Sequence, residues 1–464
     1  MPVKLDPLVL TVIKQLESHG FEAWIVGGAV RDTLLGLETF DWDFATNATP
    51  EQTLSLFQES FYDNNFGTVM VAVKHLKQQF NLVQQSQLND DLIFDITTFR
   101  SEFGYSDKRR PDKVVWGKTI QEDLQRRDFT INAIAAKVTA PNQWQLLDPY
   151  HGQQDLQHQL IRAVGDPHQR FSEDALRMLR AIRFAAQLGF QIEPETFKAI
   201  QALADNLRFI SWERIGDEFM KILKTDHPAD GILLLVNSGL VKIILPELLA
   251  TKNVPQGGHH IYDVFTHSIE ALRHCPSKDP LVRLATLLHD IAKPQTFKRR
   301  GNKITFYNHE VVGARVAKNI ARRLCLSKKD QDLIFTLVRW HMFSYDRQMT
   351  DAAIRRFIRR VGKDNIHKMM MLRVGDRLGG GSQATSWRLN ELQKRIGEQL
   401  YEPLSLKDLK INGHDLMEHF NLKPGPIIGK ILNQLFEEVL DNPDLNTKNQ
   451  LLDRAAQLLP QYQE

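Results

Sequence analysis

The sequence predicts an α+β protein of several domains, in which an α/β head is followed by a long helical remainder. Its 464 residues are enough for two to four domains. Up to about residue 138, short apolar runs typical of strands alternate with helical patterns, whereas helical patterns dominate beyond that point. A hydrophobic content of 42% and a charged content of 25% are ordinary for a soluble globular protein.

Bulk composition places few limits on the partners of the chain. Its net charge of +3 does not by itself indicate a nucleic-acid partner. Evidence for such a partner has to come from local clusters of basic residues. Cys275 and Cys325, the only cysteines, show neither metal-ligand spacing nor a disulfide framework, which fits a reducing compartment. The N-terminus lacks the features of a signal peptide, and no apolar run approaches the ~20 residues that span a bilayer. We expect a cytoplasmic protein that binds no membrane, and the oligomeric state stays open between monomer and dimer.

A phosphate-binding turn is predicted near the start of the chain. The apolar run from Ala23 to Val26 indicates a strand, and a helix is predicted from Val30 to Leu35. Gly27 and Gly28 lie between them, where glycine lets backbone N–H groups approach a phosphate at a helix N-terminus. Arg31 would add a guanidinium group that can donate hydrogen bonds to the same phosphate.

Three carboxylates predict a metal site beside that turn. If Asp41 and Asp43 lie in one strand, they point to the same face, which is costly unless a cation lies between them. Asp95 lies in another predicted strand, Leu92 to Thr97, and would complete a site for two divalent metals. A solvated strand position is the alternative for Asp95.

Two further segments carry groups suited to a nucleotide. In the first, Arg127 could hold phosphate, while Asp128 and Asn132, four residues apart on a predicted helix face, could hold a ribose hydroxyl. The second is a predicted helix from Phe171 to Phe184 in which Asp174 and Arg177 share a face. A carboxylate accepts from the exocyclic amine of C or A, and an arginine donates to a ring nitrogen and carbonyl of C. The alternative is an ion pair of Glu173 with Arg177, worth about 0.2–0.5 kcal/mol.

A second chemistry is predicted after residue 250. His289 and Asp290 close an apolar helix, and imidazole nitrogen with carboxylate oxygen suits first-row divalent metals.

Basic residues cluster between Lys298 and Arg323 and recur at helical spacing between Arg355 and Arg360, which suits the phosphate backbone of a nucleic acid. Gly379 to Ser382 predicts a hinge or linker, and the remaining tail predicts helices separated by the segment LKPGP.

The strings GGAVRD-x-LLG-x(4)-DWDFATNATP, RRDFTINA and EDALRMLRAIRFAAQLGF resemble the family of bacterial tRNA nucleotidyltransferases of class II (CCA-adding enzymes) and poly(A) polymerases. The resemblance implies a nucleotidyltransferase head with a mixed sheet and helices, an all-helical neck, a helical tail that grips tRNA, and Mg²⁺ in the head. The implied catalytic residues are Asp41, Asp43 and Asp95, of which Asp41 and Asp43 hold the metal. The implied nucleotide-binding residues are Gly27, Gly28, Arg31, Arg127, Asp128, Asn132, Glu173, Asp174, Arg177 and Arg180.

Two parts of the chain resemble family features with a more specific meaning. The segment Phe99 to Gly117 resembles the loop that helps these enzymes change from adding C to adding A. The histidine series resembles an HD domain, most of which are metal-dependent phosphohydrolases. In type and order, the implied ligands of a second divalent metal are His267, His289, Asp290 and Asp376, with Lys293, His309 and His341 as secondary residues.

The sequence therefore predicts four domains: a head (1–138), a neck that recognises the base (139–250), an HD domain (251–378) and a tRNA-binding tail (379–464). The predicted function is template-independent addition of CCA to tRNA from CTP and ATP, with possible hydrolysis in the HD domain. A poly(A) polymerase and a partial enzyme that adds only CC or only A remain alternatives. An RNA-associated HD phosphohydrolase is the alternative of another class.

Overall fold

The computed structural model describes residues 5–39, 41–63, 67–103, 113–140, 143–257, 261–301, 303–343 and 345–462. The chain divides into two compact units, Met1–Pro246 and Glu247–Glu464. The strands, numbered in chain order, are β1 Ala23–Val26, β2 Asp43–Thr46, β3 Ser60–Asp63, β4 Thr68–Ala72, β5 Ile93–Thr98, β6 Arg100–Phe103, β7 Lys113–Trp116, β8 Ala135–Ala140, β9 Gln143–Leu147, β10 Leu160–Ile161, β11 Gln191–Ile192, β12 Lys298–Arg300 and β13 Lys303–Thr305.

Helices make up most of the remaining structure. In the first unit they are α1 Pro7–Ser18, α2 Gly28–Leu34, α3 Pro50–Leu56, α4 Val73–Gln79, α5 Ile120–Gln125, α6 Gly152–Gln157, α7 Pro167–Glu173, α8 Leu176–Leu188, α9 Pro194–Leu203, α10 Trp212–Lys224, α11 Pro228–Ser238 and α12 Val241–Ile244, and α13 Pro246–Leu249 lies at the boundary. The second unit contains α14 Val264–Arg273, α15 Pro280–Leu288, α16 Lys293–Thr296, α17 His309–Arg323, α18 Lys328–Trp340, α19 Asp351–Val361, α20 Ile366–Gly379, α21 Trp387–Gln399, α22 Gly413–Phe420, α23 Pro426–Asp441 and α24 Lys448–Leu458. Short 3₁₀ helices lie at Thr130–Asn132, Ala204–Phe209, Lys363–Asn365, Leu406–Asp408, Pro443–Leu445 and Leu459–Tyr462.

A seven-stranded mixed sheet, in the order β3-β4-β5-β2-β1-β8-β9, organises the first unit. The pair β2–β5 is parallel, and its register places Asp43 beside Asp95. Because β8 and β9 belong to this sheet, the predicted head boundary at residue 138 falls inside a strand, and the sheet continues to Leu147. The mixed α/β character of the head is thus confirmed, and its sheet continues beyond the predicted boundary.

Local sequence signals account for several helix ends. Asp6 caps α1 by accepting from the Leu8 backbone N–H at 2.8 Å. Thr49 caps α3 in a reciprocal capping box with Gln52. Helix α8 ends at Gly189, whose φ of 70° is the left-handed conformation that glycine adopts without strain.

Two predicted segments differ from the structure. Residues 99–117 were expected to form a loop, but β6 and β7 pair as an antiparallel hairpin at its two ends, and residues 104–112 lie outside the described residues. The helix predicted from Phe171 to Phe184 is two helices, α7 and α8. They are separated at Asp174, whose extended backbone (φ −139°, ψ 104°) cannot continue a helix. Ser172 lies within α7, whose N-cap is Asp166.

Close packing of α14 against α20 holds the first part of the second unit together. A methyl group on Gly379 would lie 2.6 Å from the Cα atom of Ala271, and one on Gly375 would lie 2.8 Å from the Ala271 carbonyl oxygen. The prediction of a hinge from Gly379 to Ser382 is therefore wrong at its first residue, because α20 extends through Gly379 and needs it for contact. The predicted domain boundary between residues 378 and 379 also falls inside this helix.

The tail has its own apolar core, formed by α22, α23 and α24. Its buried members include Leu416, Ile431, Leu435, Phe436, Leu451 and Leu458. Part of the predicted basic track serves this packing: Arg355 is buried and donates to the Leu440 carbonyl at 2.8 Å, and Arg356 pairs with Asp441 at 2.8 Å. These arginines anchor α19 to α23 and do not form an open phosphate track.

Among the described residues, no helix combines the length and the apolar character that crossing a bilayer requires.

We predict that Gly379→Ala lowers the free energy of unfolding of the second unit by about 1–3 kcal/mol, because the added methyl group meets backbone that cannot move aside. Gly397→Ala is the matched control, since Gly397 is exposed in α21 and has open space around it. There alanine should stabilise the helix by about 0.5–1 kcal/mol. Urea unfolding would measure both values, and equal stability of the two variants would contradict the close packing.

Candidate active site and candidate metal centre

Three carboxylates meet at the centre of the sheet. Asp43 is the first residue of β2 and lies in register with Asp95 on the parallel strand β5. Asp41 lies two residues before β2, so the prediction that Asp41 and Asp43 share one strand is wrong. The group still forms electrostatically, because the charge of Asp41 acts on both other carboxylates.

The electrostatics of this group fit a divalent cation. Burial, followed by the charge of Asp41, raises the pKa of Asp43 to about 7, and Asp95 adds to this effect against the opposing charge of Arg127. Burial and then the charge of Asp41 also raise the pKa of Asp95. Carboxylates that resist ionisation for lack of positive charge are suited to hold Mg²⁺, which prefers oxygen ligands.

The glycine turn contacts this carboxylate group. Gly27 has a φ of 70°, and a methyl group there would lie 3.2 Å from Asp43 Oδ2 and 3.0 Å from Arg127 Nη1. Only glycine fits this close approach of backbone to charged groups. Arg31 was predicted as a free fork for phosphate, but it is buried and donates to Asp32 at 2.7 Å and to Asn132 at 2.8 Å.

Asp128 and Asn132 are neighbours, although not on the predicted helix. Residues Thr130–Asn132 form a 3₁₀ turn, and Asn132 Nδ2 donates to Asp128 Oδ1 at 3.2 Å. Arg180 of α8 donates through Nε to Asp128 Oδ2 at 2.7 Å. Burial would raise the pKa of Asp128, but the charge and hydrogen bond of Arg180 outweigh it and hold this pKa at about 2. Asp128 is therefore an ionised acceptor at neutral pH.

Asp123 is an organising residue that the sequence reasoning missed. It is fully buried and binds Arg126 Nη2 at 2.5 Å and Arg127 Nη2 at 3.1 Å. Burial would raise its pKa, but the two guanidinium charges lower it below the usual range. The signal was present, since Asp123 precedes these arginines by three and four residues, the spacing of helical ion pairs.

The predicted base-reading residues bind other partners in this structure. Arg177 pairs with Glu173 at 2.7 Å and donates to the Arg126 carbonyl at 3.0 Å. Asp174 accepts from the Leu176 backbone N–H at 3.0 Å and pairs with Arg214 at 2.8 Å. Because α7 ends before Asp174, Asp174 and Arg177 do not share one helix face as predicted, and their base-reading role stays a prediction.

In the second unit, four of the predicted metal ligands form a tight cluster. His267 Nε2 lies 3.0 Å from His289 Nε2 and 3.2 Å from Asp376 Oδ1. His289 Nε2 lies 3.2 Å from Asp290 Oδ2. His267 and Asp376 lie on α14 and α20, the two helices that the glycine contacts bring together. Asp290 also takes part in a second possible metal-binding group, with His309 and His341.

Charged partners control the protonation of this cluster. Burial lowers the pKa of His289, but Asp290 and then Asp376 outweigh it and raise it above the usual range. Burial raises the pKa of Asp290, but His289 and Lys293 reverse the effect, so this carboxylate stays ionised. Lys293 Nζ lies 2.6 Å from Asp290 Oδ2. The buried anions are thus balanced by cationic groups in a place where a metal ion could serve instead.

A pocket of about 460 Å³ opens onto this cluster. Its lining includes the metal-ligand candidates His289, Asp290, His309, His341 and Asp376, the cations Lys293 and Arg373, and the apolar residues Ile304, Phe306, Tyr307 and Met342. A site of this composition suits an organic phosphate, with the phosphate at the charged end and the organic group at the apolar wall.

Three family profiles match separate parts of the chain. The Poly A polymerase head domain matches residues 23–162, an RNA- and SrmB-binding site of polymerase A matches residues 189–251, and tRNA nucleotidyltransferase domain 2 matches residues 306–455. The fold matches a crystal structure of the Bacillus stearothermophilus CCA-adding enzyme in complex with CTP. That match has a TM-score of 0.70 and 24% identity and covers 99% of each chain.

Full-length relatives agree with these matches. The CCA-adding enzyme of Ligilactobacillus salivarius is 33% identical over 461 residues, which are 97% of this chain and 96% of that protein. The A-adding tRNA nucleotidyltransferase of Deinococcus radiodurans is 33% identical over 434 residues, which are 89% of this chain and 91% of that protein. The fold, the carboxylate group and these matches define a nucleotidyltransferase with a poly(A)-polymerase head. The chain belongs to the family of bacterial CCA-adding enzymes.

We predict that Asp43→Asn stabilises the metal-free protein at about pH 8 and that this gain is small at about pH 5. A carboxyl whose pKa is raised in the folded state reduces stability as pH rises from its unfolded pKa, near 4, to its folded pKa, about 7. Asparagine cannot ionise and avoids this loss. In EDTA the Tm of the variant should exceed that of the native protein, by about 2–4 °C for each kcal/mol. Added Mg²⁺ should reduce or reverse the difference, and exposed Asp91, changed to Asn, is the control. A variant that is no more stable than the native protein at pH 8 in EDTA would contradict the raised pKa.

Proposed function

We propose that the chain builds the complete 3′-CCA end of tRNA from CTP and ATP, with Mg²⁺ as the metal of the head and no nucleic-acid template. The observation that carries this proposal is the group of three carboxylates, Asp41, Asp43 and Asp95, beside the glycine turn. The names of the relatives support the reaction, since the Ligilactobacillus salivarius protein is a CCA-adding enzyme. These substrates favour a location in the cytoplasm.

The residues of the head are suited to separate tasks in this reaction. Asp41, Asp43 and Asp95 would hold the divalent cations, which when bound help to activate a hydroxyl nucleophile and neutralise a leaving pyrophosphate. Gly27 and Gly28 leave the backbone open to a triphosphate, and Arg127 lies at the same point. The predicted sugar contacts are Asp128, kept ionised by Arg180, and Asn132.

Selection of the base would fall to Asp174 and Arg177, supported by Glu173. A carboxylate and a guanidinium can together meet the Watson–Crick edges of C and A. Each of these side chains has a protein partner in the nucleotide-free chain: Arg214 binds Asp174, and Glu173 binds Arg177. An incoming base would therefore have to replace these contacts, which supports discrimination among bases by exchange of hydrogen bonds.

Two related reactions compete with this proposal. The Deinococcus radiodurans relative is an A-adding enzyme, and the head profile is that of a poly(A) polymerase. The segment 99–117 favours the complete reaction by its resemblance to the loop that supports the change from C to A. Its central residues, 104–112, lie outside the described residues.

The deciding experiment supplies purified protein and Mg²⁺ with a tRNA transcript that ends before CCA. CTP alone should add two nucleotides, and CTP with ATP should add three. Asp41→Asn should reduce addition of both nucleotides by at least about 10³-fold, because an anionic ligand of the metal is replaced by a neutral amide. Asp91→Asn, an exposed carboxylate of the same unit, is the control and should keep full activity. A ladder of many As would indicate a poly(A) polymerase, and a single added A on a transcript that ends in CC, with no C addition, would indicate an A-adding enzyme.

We infer a second candidate function, metal-dependent hydrolysis of a phosphoester in the second unit. The observation that favours it is the pocket at which buried histidines and carboxylates meet two cations and an apolar wall. A divalent metal bound there would polarise a phosphate and lower the pKa of a bound water.

Hydrolysis of p-nitrophenyl phosphate and of its bis-ester, with Mn²⁺, Co²⁺ or Ni²⁺ added, tests this function. His267→Ala should abolish hydrolysis, because it removes a buried ligand from the cluster. His274→Ala is the control, because His274 is half exposed at the end of the same helix. Asp41→Asn should keep hydrolysis while losing nucleotide addition. Equal loss of hydrolysis in Asp41→Asn would indicate one shared site, and no metal-dependent hydrolysis by the native protein would reject this function.

A further inference from the structure

A row of four side chains crosses the sheet of the head and connects the carboxylates with the sheet edge. Asp43 on β2 lies in register with Asp95 on β5. Met70 on β4 lies in register with Asp95 on one side and with Phe61 of β3 on the other. Residues in register on neighbouring strands point to the same face of a sheet. The row therefore begins at the carboxylate group and ends at Phe61, on an edge strand.

Beyond Asp95 this face of the sheet is apolar and open to solvent. Phe61 is 64% exposed, and Ile93, two residues before Asp95 on β5, is 49% exposed. Met70 and Ala72 on β4 are partly buried, and Ala72 lies in register with Ile93. We call these four apolar residues the apolar strip. The opposite face of β4 and β5 belongs to the core, with four fully buried side chains: Val69, Val71, Phe94 and Ile96.

The other end of the row has a different character. Val26, the last residue of β1, lies in register with Asp43, and Gly27 follows it. Arg127 approaches this glycine, because a methyl group on Gly27 would lie 3.0 Å from Arg127 Nη1. In the sheet order, β1 and the apolar strip lie on opposite sides of the carboxylates. A triphosphate bound at the glycine turn would consequently lie on the side away from the strip.

The proposed reaction needs two reactants on opposite sides of one phosphorus atom. The oxygen of an RNA 3′-hydroxyl forms a bond to the α-phosphorus of the nucleotide, the bond from that phosphorus to pyrophosphate breaks, and the hydroxyl proton is released to water. The attacking and leaving oxygens lie roughly in line. With pyrophosphate leaving on the β1 side, the hydroxyl approaches from the β5 side. The RNA that carries it then extends over β4 and β3.

The strand spacing matches the last few nucleotides of such an RNA. Neighbouring strands are about 4.8 Å apart, so the Cα atom of Phe61 lies about 10 Å from that of Asp95. Successive nucleotides of a stacked strand are about 3.4 Å apart. The distance from the hydroxyl to its own base adds to this spacing, so Phe61 is within reach of a base one or two positions before the terminal nucleotide. Sheet-borne aromatic side chains commonly bind single-stranded RNA by stacking.

We propose that the apolar strip binds the unpaired 3′ end of the RNA substrate, with Phe61 stacked on the base one or two positions before the nucleotide that carries the acceptor hydroxyl. The proposal rests on the proposed function, from which it takes the RNA hydroxyl as the nucleophile. Stacking tolerates every base, since each has a π face. A site of this kind suits an RNA end that grows, because the base that faces Phe61 changes with each addition.

The size of the strip favours RNA over a protein partner. A stable protein interface buries about 800 Å² on each partner. The strip has four apolar side chains, and two of them, Met70 and Ala72, are already partly buried. Its exposed area falls short of a protein interface but is enough for one or two bases. The strip is also continuous with the carboxylates at which the RNA end has to react.

Addition of A to a tRNA transcript that ends in CC tests the proposal. Phe61→Ala should raise the KM for the transcript about 5- to 150-fold, the effect of losing one stacked base. The KM for ATP should stay unchanged, because the nucleotide binds on the other side of the carboxylates. Phe61→Trp should keep the KM of the native protein, since it retains an aromatic face. Val83→Ala, at a 61% exposed apolar residue of the same unit outside the strip, is the control and should change neither constant.

An abasic nucleotide in the transcript distinguishes stacking from a structural role of Phe61. Removal of the stacked base should raise the KM of the native protein for the transcript, and Phe61→Ala should then add no further loss. Equal losses in Phe61→Ala with the intact transcript and with both abasic transcripts would overturn the proposal. An unchanged KM for the intact transcript in Phe61→Ala would overturn it as well.

Binding without nucleotide separates this proposal from the proposed function. A transcript with 2-aminopurine one or two positions before its end should lose fluorescence on binding the native protein, and less so on binding Phe61→Ala. If this difference is found in a protein that adds no nucleotide, the strip remains an RNA site and the proposed function is rejected. Full CCA addition with no effect of Phe61→Ala on KM or fluorescence rejects the strip alone.

Light scattering tests the other occupant that an open edge strand could accept, a second copy of the chain. A native dimer that Phe61→Ala converts to a monomer, with unchanged binding of the transcript, would assign the strip to that second copy and overturn the proposal. Circular dichroism checks that each variant is folded. If Phe61→Ala does not fold, Phe61→Leu, which keeps an apolar side chain without an aromatic face, is used for the same measurements.

Discussion

Repulsion between carboxylates that the sheet forces together is the constraint on which the head depends. The parallel pairing of β2 with β5 places Asp43 beside Asp95, and no rotation of either side chain removes both from the same face. Gly27, which follows β1, approaches the same point with its backbone, where a side chain would collide with Asp43 and Arg127. The nearby arginines Arg127 and Arg180 are each paired with a buried acid of their own, Asp123 and Asp128, and offset the charge of Asp43 only in part. The fold thus concentrates negative charge at one point and leaves its compensation to a ligand.

In the second unit, the carboxylates are already balanced by positive charge. Its carboxylates Asp290 and Asp376 already have cationic neighbours, and its histidines are oriented by backbone carbonyls. The close contact of α14 with α20, which Gly375 and Gly379 permit, brings two of the ligands within bonding reach of one metal. Helix packing thus contributes directly to the geometry of this cluster. The two units therefore prepare for cations in different ways, one through unbalanced charge and one through oriented lone pairs.

Much of the fold was predictable from sequence because local signals decide it. The strand Ala23–Val26, the capped helix after Thr49 and the left-handed end at Gly189 follow from residue type and spacing. The predictions that were wrong concern places where contacts between residues distant in sequence accompany the local structure. The backbone breaks the predicted helix at Asp174, whose side chain pairs with Arg214, forty residues later. The run of glycines at residue 379 has the composition of a linker but fills a helix contact. Residue types identified the candidate ligands, whereas their division into two groups around Asp290 required coordinates.

The proposed base-reading residues Asp174 and Arg177 already have partners in the protein, Arg214 and Glu173, and this sets a condition on any base that would bind them. Asp174 and Arg177 each pair with a side chain of opposite charge. A base that matched only one of these two side chains would replace one contact with another and leave the second side chain without a partner. Only a base that satisfies both at once leaves the total number of bonds intact. Arg214 and Glu173 would then compete with the incoming base, and selectivity among bases would depend on the strength of these two ion pairs.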